Sequence, residues 1–180
     1  MDIIELVQAE LDRIAAGAQQ FAANSGLSCP PGCGSCCLSP DVEAMPVEML
    51  PMAKHILDSG LAVDTTGRQC PMFMPNPLNA KLGRCGAYGF RPSICRIFPY
   101  GFSRDKNGES RWRPCSQMTN PAAGVESATR DVFDGNGISY ELARHDLQDL
   151  APNMAARLPI NEALAEAIQS LGLRLDNERK

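Results

Sequence analysis

Four of the chain's eight cysteines fall within nine residues, in the run Cys29-Pro-Pro-Gly-Cys33-Gly-Ser-Cys36-Cys37, and this run constrains the fold more than any other feature. A thiolate is the strongest soft-metal ligand a protein offers, and gaps of two and three residues let one short loop present several thiolates to one ion. The remaining cysteines are Cys70, Cys85, Cys95 and Cys115, and the last 65 residues have none. The sequence therefore reads as a metal site with a protein built around it. Gly32 and Gly34 let the backbone turn about such a site, and Pro30 and Pro31 stiffen the entry to it. Cys36 and Cys37 add a constraint of their own. Adjacent side chains point to opposite faces of an extended segment and lie about 100° apart in a helix, so both sulfurs reaching one tetrahedral ion would strain the backbone. The pair points to two metals, to a polynuclear cluster, or to one ligand beside a buried or reactive neighbour.

Compartment decides what the cysteines mean. Met1-Asp-Ile-Ile-Glu5 has no positive region ahead of an apolar stretch, so it does not read as a secretory signal. No run approaches the roughly 18 apolar residues of a membrane span. The expectation is a cytoplasmic chain with reduced thiols, where a dense cysteine pattern is metal-binding or catalytic rather than disulfide-forming. A length of 180 residues and a hydrophobic fraction of 44% suit one domain with a core. The net charge of −4 argues against nucleic acid as a partner of the whole molecule. That charge is uneven: Arg68 to Cys115 holds nine basic and two acidic residues, +7 against −11 for the rest. Arg and Lys beside several thiolates would offset their charge and donate hydrogen bonds to sulfur. An anionic substrate or cofactor is the other use for them.

Elsewhere the pattern is helical. Ile3, Leu6, Val7, Leu11, Ile14, Ala18 and Phe21 form one stripe over residues 2–23, and Gly26 suits a left-handed cap. A second helix falls within 46–59, where Pro46 suits a first turn, Pro51 requires a kink or a later start, and Gly60 is the stop. Residues 64–82, rich in proline and glycine, read as loop. The Asn107-Gly108 step between Tyr100–Phe102 and Ser110–Arg113 signals a hairpin. The tail has helical patterns over 139–150 and over 160–172, where Ile160, Leu164, Ala167, Ile168 and Leu171 share a face, and residues 176–180 are expected to fray. The expected fold is mainly α: a small cysteine-rich metal-centred domain with a short β-hairpin and flanking N- and C-terminal helices. Residues 1–120 would hold the N-terminal helix and the cysteine cluster, and residues 121–180 a helical segment packed on it.

Eight thiols suffice for two zinc sites of four thiolates each, or for one iron–sulfur cluster with four thiols left over. Spacing alone does not choose. The chain lacks the paired Cys-x2-Cys knuckles of zinc ribbons and the close-spaced run of bacterial ferredoxins. Cys29-x3-Cys33-x2-Cys36 has the three-cysteine spacing of radical enzymes that open S-adenosylmethionine. The chain is too short and too poor in βα alternation for their barrel.

Taken together, Cys29…Cys33-Gly34-x-Cys36-Cys37, Cys70-Pro71, Cys85-x2-Tyr88-x2-Arg91-Pro92-x2-Cys95-Arg96-x-Phe98-Pro99 and Cys115 resemble the YkgJ-like cysteine-cluster family. The family's shorthand has two residues in its first gap, where this chain has three. The resemblance covers about residues 29–115 and implies a zinc- or iron-chelating domain using Cys29, Cys33, Cys36, Cys37, Cys70, Cys85, Cys95 and Cys115. The pattern is also similar to part of the flagellin lysine methylases, which implies iron–sulfur-dependent methyl transfer, though the chain lacks their length.

Arg91 and Arg96 are the candidates to donate to cluster sulfides or to hold a small carboxylate cofactor, with structural ion pairing as the alternative. Tyr88 reads as a packed aromatic, and Phe98, Tyr100, Phe102 and Trp112 as a lid that keeps water out. His55 and His145 lie in helical stretches and are not needed beside eight cysteines; the methionines read as core filler. No Walker loop, dinucleotide glycine pattern or Ser-His-Asp arrangement is present. The expected function is binding of a metal ion through thiolates, as an iron–sulfur cluster or as zinc. The adjacent cysteine pair and the leftover thiols favour iron–sulfur. A structural zinc would imply a partner protein, and an exchangeable metal would imply a carrier.

Overall fold

The computed structural model describes residues 1–30, 32–98, 100–112, 115, 117 and 139–178. Helix α1 (Ile3–Ser25) opens on a capping box, in which the Asp2 carboxylate accepts the Ile4 N–H and the Glu5 carboxylate accepts the Asp2 N–H. It ends on Gly26 at φ 68°, whose N–H donates to the Ala22 carbonyl. The expected stripe is its inner face, with Val7, Leu11, Ile14, Ala18 and Phe21 buried.

A single turn, α2 (Ser35–Leu38), carries Cys36 and Cys37. Strand β1 (Glu43–Ala44) leads into α3 (Pro46–Ser59), which starts at Pro46 and runs unbroken through Pro51. Every side chain from Pro46 to Ala53 is buried. Packing on all sides offsets the hydrogen bond that Pro51 cannot donate, a loss of about 3 kcal/mol in an exposed helix.

Residues 64–82 are not a continuous loop. They contain β2 (Phe73–Asn76) and the start of β3 (Asn79–Cys85), antiparallel, with Phe73 opposite Cys85 and Pro75 opposite Gly83. Two asparagines shape the turn: Asn76 Oδ1 accepts the Leu78 N–H at 2.8 Å and Asn79 Oδ1 accepts the Lys81 N–H at 3.0 Å. Pro75 and Pro77 hide this hairpin from a reading of the sequence, and most side chains of both strands are exposed, so no alternation marks them.

A 3-10 turn (Tyr88–Phe90) and α4 (Ser93–Ile97) precede the expected second hairpin, β4 (Phe102–Arg104) and β5 (Ser110–Trp112), with Phe102 opposite Trp112. Its first strand begins two residues late because the N–H groups of Tyr100 and Gly101 both donate to the Ile97 carbonyl. Gly108, at φ 80°, takes the turn.

Helix α5 (Tyr140–Leu150), β6 (Leu158–Pro159) and α6 (Ile160–Glu178) complete the chain. Helix α6 runs to Glu178, past the point where fraying was expected. Residues 121–138 of the tail lie outside the described residues. Strand β6 pairs antiparallel with β1, and the Ile160 N–H donates to the Val42 carbonyl at 2.9 Å. Ile160, Ala163, Leu164, Ala167 and Leu171 are buried on α6, which packs along α3 as α1 does. The fold is mainly α, and the described residues form three two-stranded ladders.

Candidate metal centre

The cysteine run is laid on β3. The Cys33 N–H donates to the Pro30 carbonyl at 3.1 Å, which closes a turn between Cys29 and Cys33. Gly32, at φ 69°, turns its carbonyl to the Gly83 N–H at 2.9 Å, and Cys33 bridges to Leu82. Gly34 and Gly83 both press on the Phe73 ring. A Cβ on either would stand 2.5 Å from Phe73 Cε2, and one on Gly83 would stand 2.4 Å from the Met74 carbonyl oxygen. Close approach, not a turn, is what demands glycine at these two positions.

One turn of helix later the chain is tied to the residues that lead into β2, the partner of β3. The Cys37 carbonyl accepts the Cys70 N–H at 2.9 Å, the Cys70 carbonyl accepts the Phe73 N–H at 3.1 Å, and the Met72 carbonyl accepts the Gly86 N–H at 2.8 Å. Phe73 faces Cys85 across the ladder. These bonds bring the Cys37, Cys70 and Cys85 segments together, and the Cys37 and Cys70 thiols act on each other's proton affinity. Helix α4 supplies Cys95. All four pack with the main hydrophobic core, whereas Cys115 lies in a separate small cluster with Phe21, Leu27, Phe102 and Tyr100. The Cys29 N–H reaches the Tyr100 hydroxyl oxygen on that second side.

The electrostatics follow the same division. Burial pushes Cys29 and Cys36 up, Cys36 to about 11, and the neighbouring thiols Cys115 and Cys33 add to both. Cys37 is raised by the Cys70 thiol, then by burial and by Cys95 and Cys85. Cys70 is lowered by the Cys37 thiol, and the Met72 and Phe73 N–H groups lower it further. Burial raises Cys85 and Cys95, and both sense Cys70. The Arg91 guanidinium opposes these shifts at Cys29, Cys85 and Cys95.

All eight cysteines are free thiols; Cys70 is buried, Cys29 is exposed and the other six are half-buried. Among the described residues no three His, Cys, Asp or Glu side chains stand close enough to hold one metal ion as placed. The donor chemistry does fit zinc or iron–sulfur, since the groups are soft thiols and the Gln117 N–H already points at Cys115 Sγ.

The two arginines differ. Arg91 lies over the Tyr88 ring, 3.5 Å from its centroid, and its Nε donates to the Tyr88 carbonyl at 3.2 Å. Arg96 is buried, pairs with Asp12 at 3.1 Å, and donates to the carbonyls of Gly89 and Arg91, each at 2.6 Å. Tyr88 is 66% exposed, not packed, its ring shielded by that guanidinium. Of the expected lid, Phe102 is buried, Tyr100 is half-buried beside Cys115, Phe98 is largely exposed, and the Trp112 side chain lies outside the described residues. His55 stacks on Phe90 with centroids 4.6 Å apart, and His145 pairs with Asp149. Met45, Met49, Met52 and Met72 are buried in the core, while Met74 is exposed.

Glu48 escapes a reading of the sequence. This buried carboxylate accepts the Ser93 N–H at 2.7 Å and the Met45 N–H at 3.3 Å, so it fixes α4, and with it Cys95, to α3. Burial raises its carboxyl above the usual range, and the bonds from Ser93 and Met45 pull the other way. Its place two residues after Pro46 marks a helix start, but nothing local marks a partner 45 positions away.

No curated protein and no solved structure matches the chain. Residues 28–116, which hold all eight cysteines, match the model of the CxxCxxCC family, described as "Putative zinc- or iron-chelating domain".

Proposed function

We propose that this protein holds a resident zinc or iron centre through its cysteine thiolates. The observation that carries the reading is the gathering of Cys37, Cys70, Cys85 and Cys95 from four separate segments into the hydrophobic core. The Cys37 carbonyl accepts the Cys70 N–H and the Cys70 carbonyl accepts the Phe73 N–H, so the backbone itself holds Cys37 and Cys70 side by side.

Iron in an iron–sulfur cluster is the form we favour. Its support is the adjacency of Cys36 and Cys37 and the Gln117 N–H aimed at Cys115 Sγ at 3.5 Å. A different observation favours zinc. Thiolates about 2.3 Å from one tetrahedral ion lie about 3.8 Å from each other, which is hydrogen-bond distance for sulfur. The backbone bond from the Cys70 N–H to the Cys37 carbonyl sets these two cysteines side by side, as two ligands of one such ion must be.

The test is anaerobic purification without a polyhistidine tag, followed by visible absorption and elemental analysis for iron, zinc and acid-labile sulfide. A brown protein with iron and sulfide in matched amounts establishes the cluster. A colourless protein carrying zinc establishes the second reading. Retention of neither metal overturns both.

A further inference from the structure

The peptide bond between Cys36 and Cys37 divides the thiols. Successive side chains on a helical turn point about 100° apart, and in α2 Cys37 packs with the main core while Cys36 is not part of it. On the Cys37 side the backbone bonds Cys37 to Cys70 and Cys70 to Phe73, and the register sets Phe73 opposite Cys85, so three cysteine-bearing segments adjoin. Helix α4, fixed by Glu48, adds Cys95 to the same core. On the Cys36 side, the closed turn from Cys29 to Cys33 leads into α2. Cys115 stands with Leu27, two residues before Cys29, in the small second cluster.

We propose that the eight cysteines form two four-thiolate metal centres, one from Cys29, Cys33, Cys36 and Cys115 and the other from Cys37, Cys70, Cys85 and Cys95. This inference rests on the chelation reading above and goes beyond it by naming which ligands share a metal. It removes the strain of two adjacent cysteines on one ion, since each goes to a different centre. Among the described residues the thiols do not close around a point, so binding would require each set of four to draw together.

The test loads the metal-free full chain with cadmium-113 and correlates the cadmium resonances with cysteine β-protons by NMR. Two cadmium signals are expected, one linked to Cys29, Cys33, Cys36 and Cys115, the other to Cys37, Cys70, Cys85 and Cys95. A single signal, or a cadmium linked to cysteines of both sets, overturns the division while leaving chelation intact. Failure to bind cadmium at all overturns the chelation reading itself. Cys33→Ser provides the second arm: it should remove one signal, keep the other and leave the helical circular dichroism unchanged. Loss of both signals with that helical content retained also overturns the division.

Discussion

Gly83→Ala tests how the cysteine run is held on β3. The added Cβ would sit 2.4 Å from the Met74 carbonyl oxygen and 2.5 Å from Phe73 Cε2, where ordinary contact begins at 3.4 Å. Relief requires a displacement of roughly 1 Å, and one of the two obstacles is backbone, which cannot rotate away. Overpacking of this kind costs about 1–3 kcal/mol. The displacement also opens the Gly83 N–H bond to the Gly32 carbonyl, adding about 1 kcal/mol. A total of about 2–4 kcal/mol corresponds, in a chain of this size, to a fall in melting temperature of about 4–16 °C. The assay is thermal unfolding of the metal-loaded protein by circular dichroism, with metal content measured on the same sample. Gly67→Ala is the control, because nothing lies within 4 Å of its Cβ position, and it should stay within about 0.5 kcal/mol of the parent. A Gly83→Ala protein that melts with the control and keeps its full metal would refute the reasoning.

Cys36→Ser and Cys95→Ser should each lower the metal bound per chain, whereas His55→Ala and His145→Ala should not; elemental analysis of the four purified variants decides this. Arg91→Met removes the cation that favours thiolate at Cys29, Cys85 and Cys95, so protons compete better and the pH midpoint for binding cobalt should rise. The cobalt–thiolate absorbance reads that midpoint, and a fall or no change sinks the idea. Glu48 has a folded pKa raised above its unfolded value of about 4.5, so its contribution is whole below that pH and declines as pH rises through the raised value. The stability of the parent minus that of Glu48→Gln, from urea unfolding, should therefore shrink between pH 4.5 and neutrality; a gap constant with pH contradicts the assignment.

What the sequence made legible was what local chemistry decides. The stripe from Val7 to Phe21, the cap at Gly26 and the Asn107-Gly108 turn are each determined within a few residues, and each stands in the structure. The cysteines were legible as a set because their chemistry is unusual for any other purpose. Their grouping was not, since it depends on Cys37 meeting Cys70 and on Phe73 standing opposite Cys85. Pro51 and Pro75 misled for one reason: the penalty of proline is local and visible, while the burial or ladder that absorbs it is distant. Asp12 with Arg96 and Glu48 with Ser93 are likewise pairs joined across the fold, from positions that look like ordinary solvated helix charges.

The two-residue ladder between β1 and β6 has a consequence for the order in which the protein is made. Ala44 waits for Leu158, and the inner side of α3 waits for α6. At about 5–20 residues per second, the 114 positions between Ala44 and Leu158 take about 6–23 s to synthesise. Throughout that interval Cys29, Cys33, Cys36 and Cys37 are already made, while the scaffold that shields their neighbours is not. The thiols meet the surrounding solution, with its metals and its oxidants, before the core exists. An ion captured then becomes the point about which the core closes, and an ion arriving later must enter a finished one.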